Sequence, residues 1–304
     1  MAARLSESVS LGLTNFVGSW LFDLVRHAKE NTMNSVTWVL ESEVFPETHA
    51  PLRKAIRERG QRLIDWSDEW WYEGVPRRIP TSAVIFHGSL GNAARVAKEL
   101  RWTPGSLCPV DAFCCSAWYE AAKPWLVHSA WTICPAKDLV ANASAVAAQI
   151  GSESRIFVRP NSPLKPFSGR VVDIASLTLA KLDHGFYFDD ESLPVVAAPV
   201  KEIGREWRFV IVETNVVAGS AYDPAGRKSL PVPLDAEAAF FASLVAAKIP
   251  APAAAYVLDV CECGGELRLL ELNPFGGADL YACDPVAVVD ALSALANKQE
   301  VDRS

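Results

Sequence analysis

The run Leu258-Asp259-Val260-Cys261-Glu262-Cys263-Gly264-Gly265-Glu266-Leu267-Arg268-Leu269-Leu270-Glu271-Leu272-Asn273-Pro274 constrains this chain more than any other. Two stretches rich in aliphatic residues flank a Gly-Gly pair, which predicts a β-hairpin. Leu258 and Val260 alternate with Asp259, and Leu270 and Leu272 alternate with Glu271 and Asn273. Side chains two apart on a strand share a face. Placing the leucines and the valine on one buried face sets 258 opposite 272 and 260 opposite 270. Asp259 then lies opposite Glu271, on the face that carries Asn273. A slip of one residue would send Asp259 to the other side. This register calls for an odd-numbered loop, three residues around Gly264 and Gly265.

Two carboxylates facing each other across a sheet repel, so the pairing requires positive charge between them. Oxygen donors from Asp, Glu and Asn suit Mg²⁺, which usually completes its shell with water and substrate phosphates. The competing explanation is the solvated outer face of an edge hairpin, since polar-out alternation is common in antiparallel sheets.

The chain has 304 residues, enough for one large domain or two to three smaller ones. Half of them are hydrophobic and 21% charged, the profile of a folded protein rather than a disordered one. Net charge is −7 and no block of Lys/Arg stands out, so there is no electrostatic case for a nucleic-acid partner. The seven cysteines are odd in number and lack Cys-x-x-Cys spacing, which argues against a disulfide framework or zinc site and for a reducing cytoplasm. Adjacent Cys114 and Cys115 are expected as small buried residues.

Residues 1–34 are expected to form an N-terminal helical extension, with Phe16, Trp20 and Leu24 on one side of a helix over Asn15–Lys29. The apolar stretch Leu11–Phe22 is too short to cross a membrane. A poor signal peptide is the alternative.

From Ser35 to about residue 150 the pattern reads as a small α/β domain. Strands are predicted at Val36–Leu40, Arg62–Asp65 and Ala83–His87, and helices at Pro51–Arg59, Ala93–Leu100 and Lys137–Ile150. Strand–helix alternation implies a mostly parallel sheet. Residues 66–80 are expected as loop and 101–150 as largely helical. Trp102, Trp118, Trp125 and Trp131 are expected in packing roles. The turn His87-Gly88-Ser89 would lie at the carboxyl edge of the sheet, where open α/β folds bind ligands. It lacks the spacing of a dinucleotide fingerprint or a phosphate-binding P-loop.

Residues 151–304 read as α+β. Strands at Arg155–Val158 and around Val171-Val172 enclose a connection bearing Arg159, Lys165, Ser168 and Gly169. Two cations, a hydroxyl and a glycine there are what a polyphosphate clamp needs; a basic surface loop is the alternative. Leu193–Val200, Trp207–Val212 and Val216–Ser220 are further strands, residues 235–248 an Ala-rich helix, and the last helix runs from Asp284 to about Asn297. Arg208 sits within an apolar strand, and an unpaired buried charge is costly, so it either snorkels to water or meets an anion.

These residues resemble the ATP-grasp superfamily, from about Arg155 to the C-terminus. Glu271-Leu272-Asn273-Pro274 with Asp259 on the preceding strand is similar to the set that holds Mg²⁺ against ATP in that superfamily. Phe157-Val158-Arg159-Pro160 resembles a lysine–proline strand end, with arginine in place of lysine as in a divergent clade. Glu206-Trp207-Arg208 resembles a Glu-x-Arg that follows the hinge.

The resemblance implies an ATP-grasp fold of two lobes, about 151–200 and 201–304, preceded by the small parallel domain. It implies Asp259, Glu271 and Asn273 as metal ligands, with Mn²⁺ as an alternative ion. Arg159, Lys165, Ser168 and Gly169 would face phosphates, the backbone of Ala198, Pro199 and Val200 the adenine, and Glu206 the ribose. Arg208 and Lys165 would be catalytic. Tyr222 and Asp279 lie close to the motifs without a role.

The implied activity is ATP-dependent ligation of a small-molecule or peptide carboxylate to an amine through an acyl phosphate. A kinase on the same fold and a non-catalytic nucleotide-binding protein are the alternatives. The substrates would lie between the first domain and the last hairpin, near His87 and Gly276-Gly277-Ala278-Asp279. No nucleic acid or membrane is implied. The superfamily also admits a homodimer, with no interface legible in the sequence.

Overall fold

A computed structural model describes residues 36–302 apart from 42, 75, 77–78, 80, 183–189, 227 and 231. The expected helix at Asn15–Lys29 lies outside the described residues. In chain order the elements are β1 (Thr37–Leu40), α1 (Pro46–Glu58), β2 (Arg62–Asp65), α2 (Trp70–Glu73), β3 (Ala83–His87), α3 (Leu90–Glu99) and β4 (Thr103–Gly105). Then come α4 (Cys115–Ala122), β5 (Thr132–Pro135), α5 (Ala136–Ala141), α6 (Ala143–Gln149), β6 (Arg155–Pro160), β7 (Arg170–Asp173), α7 (Leu179–Leu182) and β8 (Pro194–Pro199). The chain ends with β9 (Glu206–Val212), β10 (Asn215–Asp223), β11 (Lys228–Ser229), α8 (Ala236–Lys248), β12 (Ala255–Cys263), β13 (Glu266–Pro274) and α9 (Pro285–Val301).

Three sheets result. The first is parallel throughout, in the order β2-β1-β3-β4. Its central strands are near-continuous apolar runs because both faces are covered. Trp38 and Ile85 face one core with α1 and α9, and Val39 and Phe86 the other, with Trp66 and Val96. The second sheet, β5-β8-β6-β7, and the third, β11-β10-β9-β12-β13, are antiparallel. The third sheet is a shared wall. Val210 and Val257 pack into the core of α1 and α9, whereas Phe209, Leu258 and Leu272 pack against α8 and α4.

The hairpin β12–β13 keeps the predicted pairs Leu258↔Leu272 and Asp259↔Glu271. Beyond them the prediction fails: Val260 pairs with Leu269, not Leu270. Gly264 and Gly265 form a two-residue turn with φ of +62° and +80°, the left-handed geometry that matches strand twist. The parity mismatch is absorbed by a bulge at Leu270, which leaves Leu269 in the core position.

Other corrections have local causes. Helix α1 begins at Pro46, and Pro51 sits inside it rather than in its first turn. Glu47 and Pro51 are both exposed, so the carbonyl that Pro51 cannot bond is left to water. Residues 66–80 hold the short helix α2, closed by Gly74 at φ +69°. Residues 101–150 are less helical than expected: they contain β4 and β5, and β5 joins the second sheet beside β8. The helix expected over Lys137–Ile150 breaks at Asn142, whose side chain bonds the Asp138 carbonyl at 3.0 Å in competition with the backbone. The tryptophans pack as expected: Trp118 is buried, and Trp102, Trp125 and Trp131 are partly buried against two cores.

Candidate active site

One cross-strand row of the third sheet carries the charge. Ser220 on β10 is the register partner of Arg208 on β9, Arg208 of Asp259 on β12, and Asp259 of Glu271 on β13. All four side chains therefore share a face, opposite the one covered by α8. Asn273, two residues on, shares it.

The two opposed carboxylates are reconciled by three cations. Arg208 holds Asp259 with both arms of its fork, Nε to Oδ1 at 2.8 Å and Nη2 to Oδ2 at 2.7 Å. Its third nitrogen donates to the Asp279 carbonyl at 2.7 Å. Of the two fates open to Arg208, it meets an anion. Burial works against its charge, but Asp259 outweighs burial and raises the guanidinium above its ordinary value. Glu271 is held from the second sheet: Arg159, at the end of β6, donates to its Oε1, and Lys165 Nζ to its Oε2 at 2.9 Å. Burial pushes the Glu271 carboxyl up, and the charges and hydrogen bonds of Arg159 and Lys165 overcome it, leaving it well below the usual carboxylate range.

Lys165 Nζ also donates to Asn273 Oδ1 at 3.0 Å, while Asn273 Nδ2 donates to Asp259 Oδ2 at 3.1 Å. The ammonium thus occupies the space between a carboxylate and a carboxamide oxygen where a divalent cation would sit. Hard oxygen donors of this kind suit Mg²⁺, and the built-in cation shows that the pocket accepts positive charge. Lys165 has φ +48° and its side chain is 35% exposed, so the cation that fills the space stands on the water side. Among the described residues no group of three or more His, Cys, Asp or Glu could hold a metal, so any site here needs Asn273.

The remaining predicted residues flank this centre. Glu206 is buried and accepts from the Tyr222 hydroxyl at 2.6 Å. Burial raises its pKa, opposed in part by that hydrogen bond. Ala198 is buried and Pro199 and Val200 half-buried at the end of β8, where the chain leaves the second sheet for the third. Ser168 and Gly169 are exposed above β6, and a Cβ on Gly169 would come within 2.8 Å of the Phe157 ring. The structure therefore brings Arg159, Lys165, Arg208, Asp259, Glu271 and Asn273 into one cluster. Glu206 joins its edge, and Ser168 and Gly169 stand outside it.

Further contacts around the cluster escaped the sequence. The Tyr222 and Tyr281 rings stack at 4.7 Å, and the Arg208 guanidinium lies over both, at 5.3 and 5.0 Å. Asp279 accepts from Thr48 on α1 and from the Tyr281 backbone, which tethers the loop after β13 to the first sheet. His87 is fully buried. Its Nε2 meets the Ala278 carbonyl at 2.9 Å, so it donates there, and Nδ1 accepts from His49 Nε2 at 2.7 Å. Burial pushes both imidazoles down, His49 to about 4. His128, buried and stacked on Phe157 at 5.3 Å, is likewise pushed down to about 4 by burial and by Arg159 and Lys201. No spacing rule flags these residues, because each acts through a partner at least 29 positions away. Tyr222 was the exception, through its closeness to the motifs.

Comparison with known proteins bears on this geometry. The profile of an ATP-grasp domain family, the third family of its clade, matches residues 90–292. No curated protein matches the sequence significantly. Among solved structures, D-cycloserine synthetase DcsG is similar with a TM-score of 0.56 and 17% identity, covering 86% of this chain and 99% of that one. The D-alanine–D-alanine ligase of Bacillus anthracis has a TM-score of 0.55 and 12% identity, covering 88% and 99%. N5-carboxyaminoimidazole synthetase of Staphylococcus aureus, complexed with ADP, has a TM-score of 0.55 and 10% identity, covering 85% and 77%. At these identities the likeness is one of fold.

Proposed function

Because the chain belongs to this ATP-grasp domain family, we propose that it is an ATP-dependent ligase joining a small-molecule or peptide carboxylate to an amine. The observation that carries this is the row Arg208–Asp259–Glu271, met from the facing sheet by Arg159 and Lys165. Oxygens and cations are gathered there in the balance that a metal-bound triphosphate requires.

Asp259, Glu271 and Asn273 would hold Mg²⁺, or Mn²⁺ as the alternative. When bound, the ion would neutralise phosphate charge. Arg159 and Lys165 would exchange Glu271 for phosphate oxygens. Lys165 reaches Glu271 from the connection between β6 and β7, so the exchange would draw Ser168 and Gly169 over the phosphates and exclude water. The backbone of Ala198, Pro199 and Val200 would meet adenine, and Glu206 the ribose.

Arg208, held by Asp259 and the Asp279 carbonyl, is preorganised to stabilise a transferring phosphoryl group. The substrate carboxylate oxygen attacks the γ-phosphorus and ADP leaves. The amine nitrogen then attacks the acyl carbon, releasing phosphate and a proton. The carboxylate and amine would bind near Asp279, between the parallel sheet and the third sheet. The three sheets serve as a substrate unit and two ATP-binding lobes, divided in sequence near residues 150 and 200, with β5 reaching across the first boundary. Seven free cysteines support a reducing, cytoplasmic setting, and among the described residues no helix is long and apolar enough to cross a membrane.

A thermal-melt titration with ATP, with and without Mg²⁺, tests the site. Nucleotide at about 100 times its dissociation constant adds roughly 2.7 kcal/mol, a shift of several degrees. The shift should need Mg²⁺ and vanish in Glu271→Gln. A shift that survives in Glu271→Gln would remove Glu271 from the metal site.

A further inference from the structure

Helix α8 is apolar on every side, with the sequence Ala-Glu-Ala-Ala-Phe-Phe-Ala-Ser-Leu-Val-Ala-Ala-Lys. A helix of this kind ordinarily lies buried on all faces. Here only the inner face is covered: Ala238, Ala242, Val245 and Ala246 pack on the third sheet. The outer face leaves Phe240 73% and Leu244 39% exposed, with Phe241 beside them. Leu267 on β13 and Val232 and Leu234 just before the helix extend the patch. Contiguous apolar surface on this scale marks an interaction site.

The arrangement of charge on that face selects the partner. Glu237 and Lys248 are both exposed, and eleven residues is close to three full turns, so they stand on one line with Phe240, Phe241 and Leu244 between them. Neither takes part in an ion pair among the described residues. Turning a second copy of the helix antiparallel about a point midway between Ala242 and Ser243 brings each Glu237 against the Lys248 of the other copy. The same turn sets Phe241 against Leu244. The face is complementary to itself, which is the requirement for a two-fold interface.

We propose that the outer face of α8 is the dimer interface of this protein, closed by two Glu237–Lys248 pairs around a core of Phe240, Phe241 and Leu244. Because α8 lies behind the third sheet, on the side away from Asp259 and Glu271, the two candidate active sites face outward and remain open. This inference does not depend on the ligase assignment.

Sedimentation velocity on the full chain over a hundredfold concentration range tests it. The wild type is expected to sediment as a dimer whose monomer fraction rises on dilution. Phe240→Asp should be monomeric with unchanged circular dichroism and melting, since the side chain is already in water. Glu237→Lys and Lys248→Glu should each weaken the dimer at least tenfold, and the double exchange Glu237→Lys/Lys248→Glu should restore it. The rescue separates a two-fold pairing of this face from any other use of it. A wild type that stays monomeric at high concentration overturns the proposal and leaves the face to a different partner protein. A dimer indifferent to Phe240→Asp, or a charge exchange without rescue, overturns it as well.

Discussion

Removing the Asp259 carboxylate alone should destabilise the protein more than removing it together with its partner. Arg208 and Asp259 make two parallel hydrogen bonds of 2.8 and 2.7 Å, with side chains 10% and 1% exposed. A guanidinium cannot shed its proton at any working pH. In Asp259→Ala it would remain as a buried cation, eased only by the Asp279 carbonyl and the faces of Tyr222 and Tyr281. Breaking a buried pair from one side costs about 3–5 kcal/mol. At roughly 2–4 °C per kcal/mol for a chain of this order of size, the variant should melt roughly 6–20 °C below wild type. Arg208→Met/Asp259→Leu replaces both charges with apolar groups of similar bulk, which is often near neutral. The double variant should therefore be more stable than the sum of the two single losses by about 2 kcal/mol or more. The assay is urea denaturation of the four proteins without metal or nucleotide at pH 7. Additive losses within error would mean that Arg208 and Asp259 are not coupled, and the account of the row would fall.

Three further outcomes are expected. Lys165→Met should melt close to wild type, because a partly exposed pair contributes about 1 kcal/mol or less; it should lose phosphate release from ATP in a coupled assay, and unchanged turnover would exclude Lys165 from the chemistry. Acidification from about pH 6.5 to about 4 should destabilise the protein, read as a falling urea midpoint. In that window His49 and His128 bind protons in the unfolded chain but not in the folded one, so each lowers stability by up to about 1.4 kcal/mol per pH unit as pH falls. Glu271 does not add to this loss, since a depressed carboxyl gives up its contribution only below its unfolded pKa of about 4.3. Finally, Gly276→Ala should lower the melting temperature more than Gly264→Ala. The first would put a Cβ 2.2 Å from the Ser106 carbonyl oxygen; the second meets no atom within 4 Å and carries only the left-handed backbone cost, about 1–2 kcal/mol.

The pairing of Asp259 with Glu271 was legible in the sequence because alternation has a period of two, and only one register buries Leu258 with Leu272. The parallel sheet was legible for a similar reason: Val36–Leu40 and Ala83–His87 are apolar on both sides, as strands covered by helices must be. The need for positive charge between the carboxylates also followed from the sequence, through repulsion alone. Which cations answer it did not. Arg208 reaches Asp259 across 51 positions, and Arg159 and Lys165 reach Glu271 across 112 and 106. Those distances close only when two separately formed sheets face each other. The bulge at Leu270 was hidden as well, because a two-residue Gly-Gly turn and a three-residue loop fit the same letters and the packing of Leu269 decides between them. The Tyr222–Tyr281 stack and the His49–His87 pair belong to the same class. Local periodicity determines which residues share a face, whereas the partners across a cleft are set by how the sheets dock, and that information is spread over the whole chain.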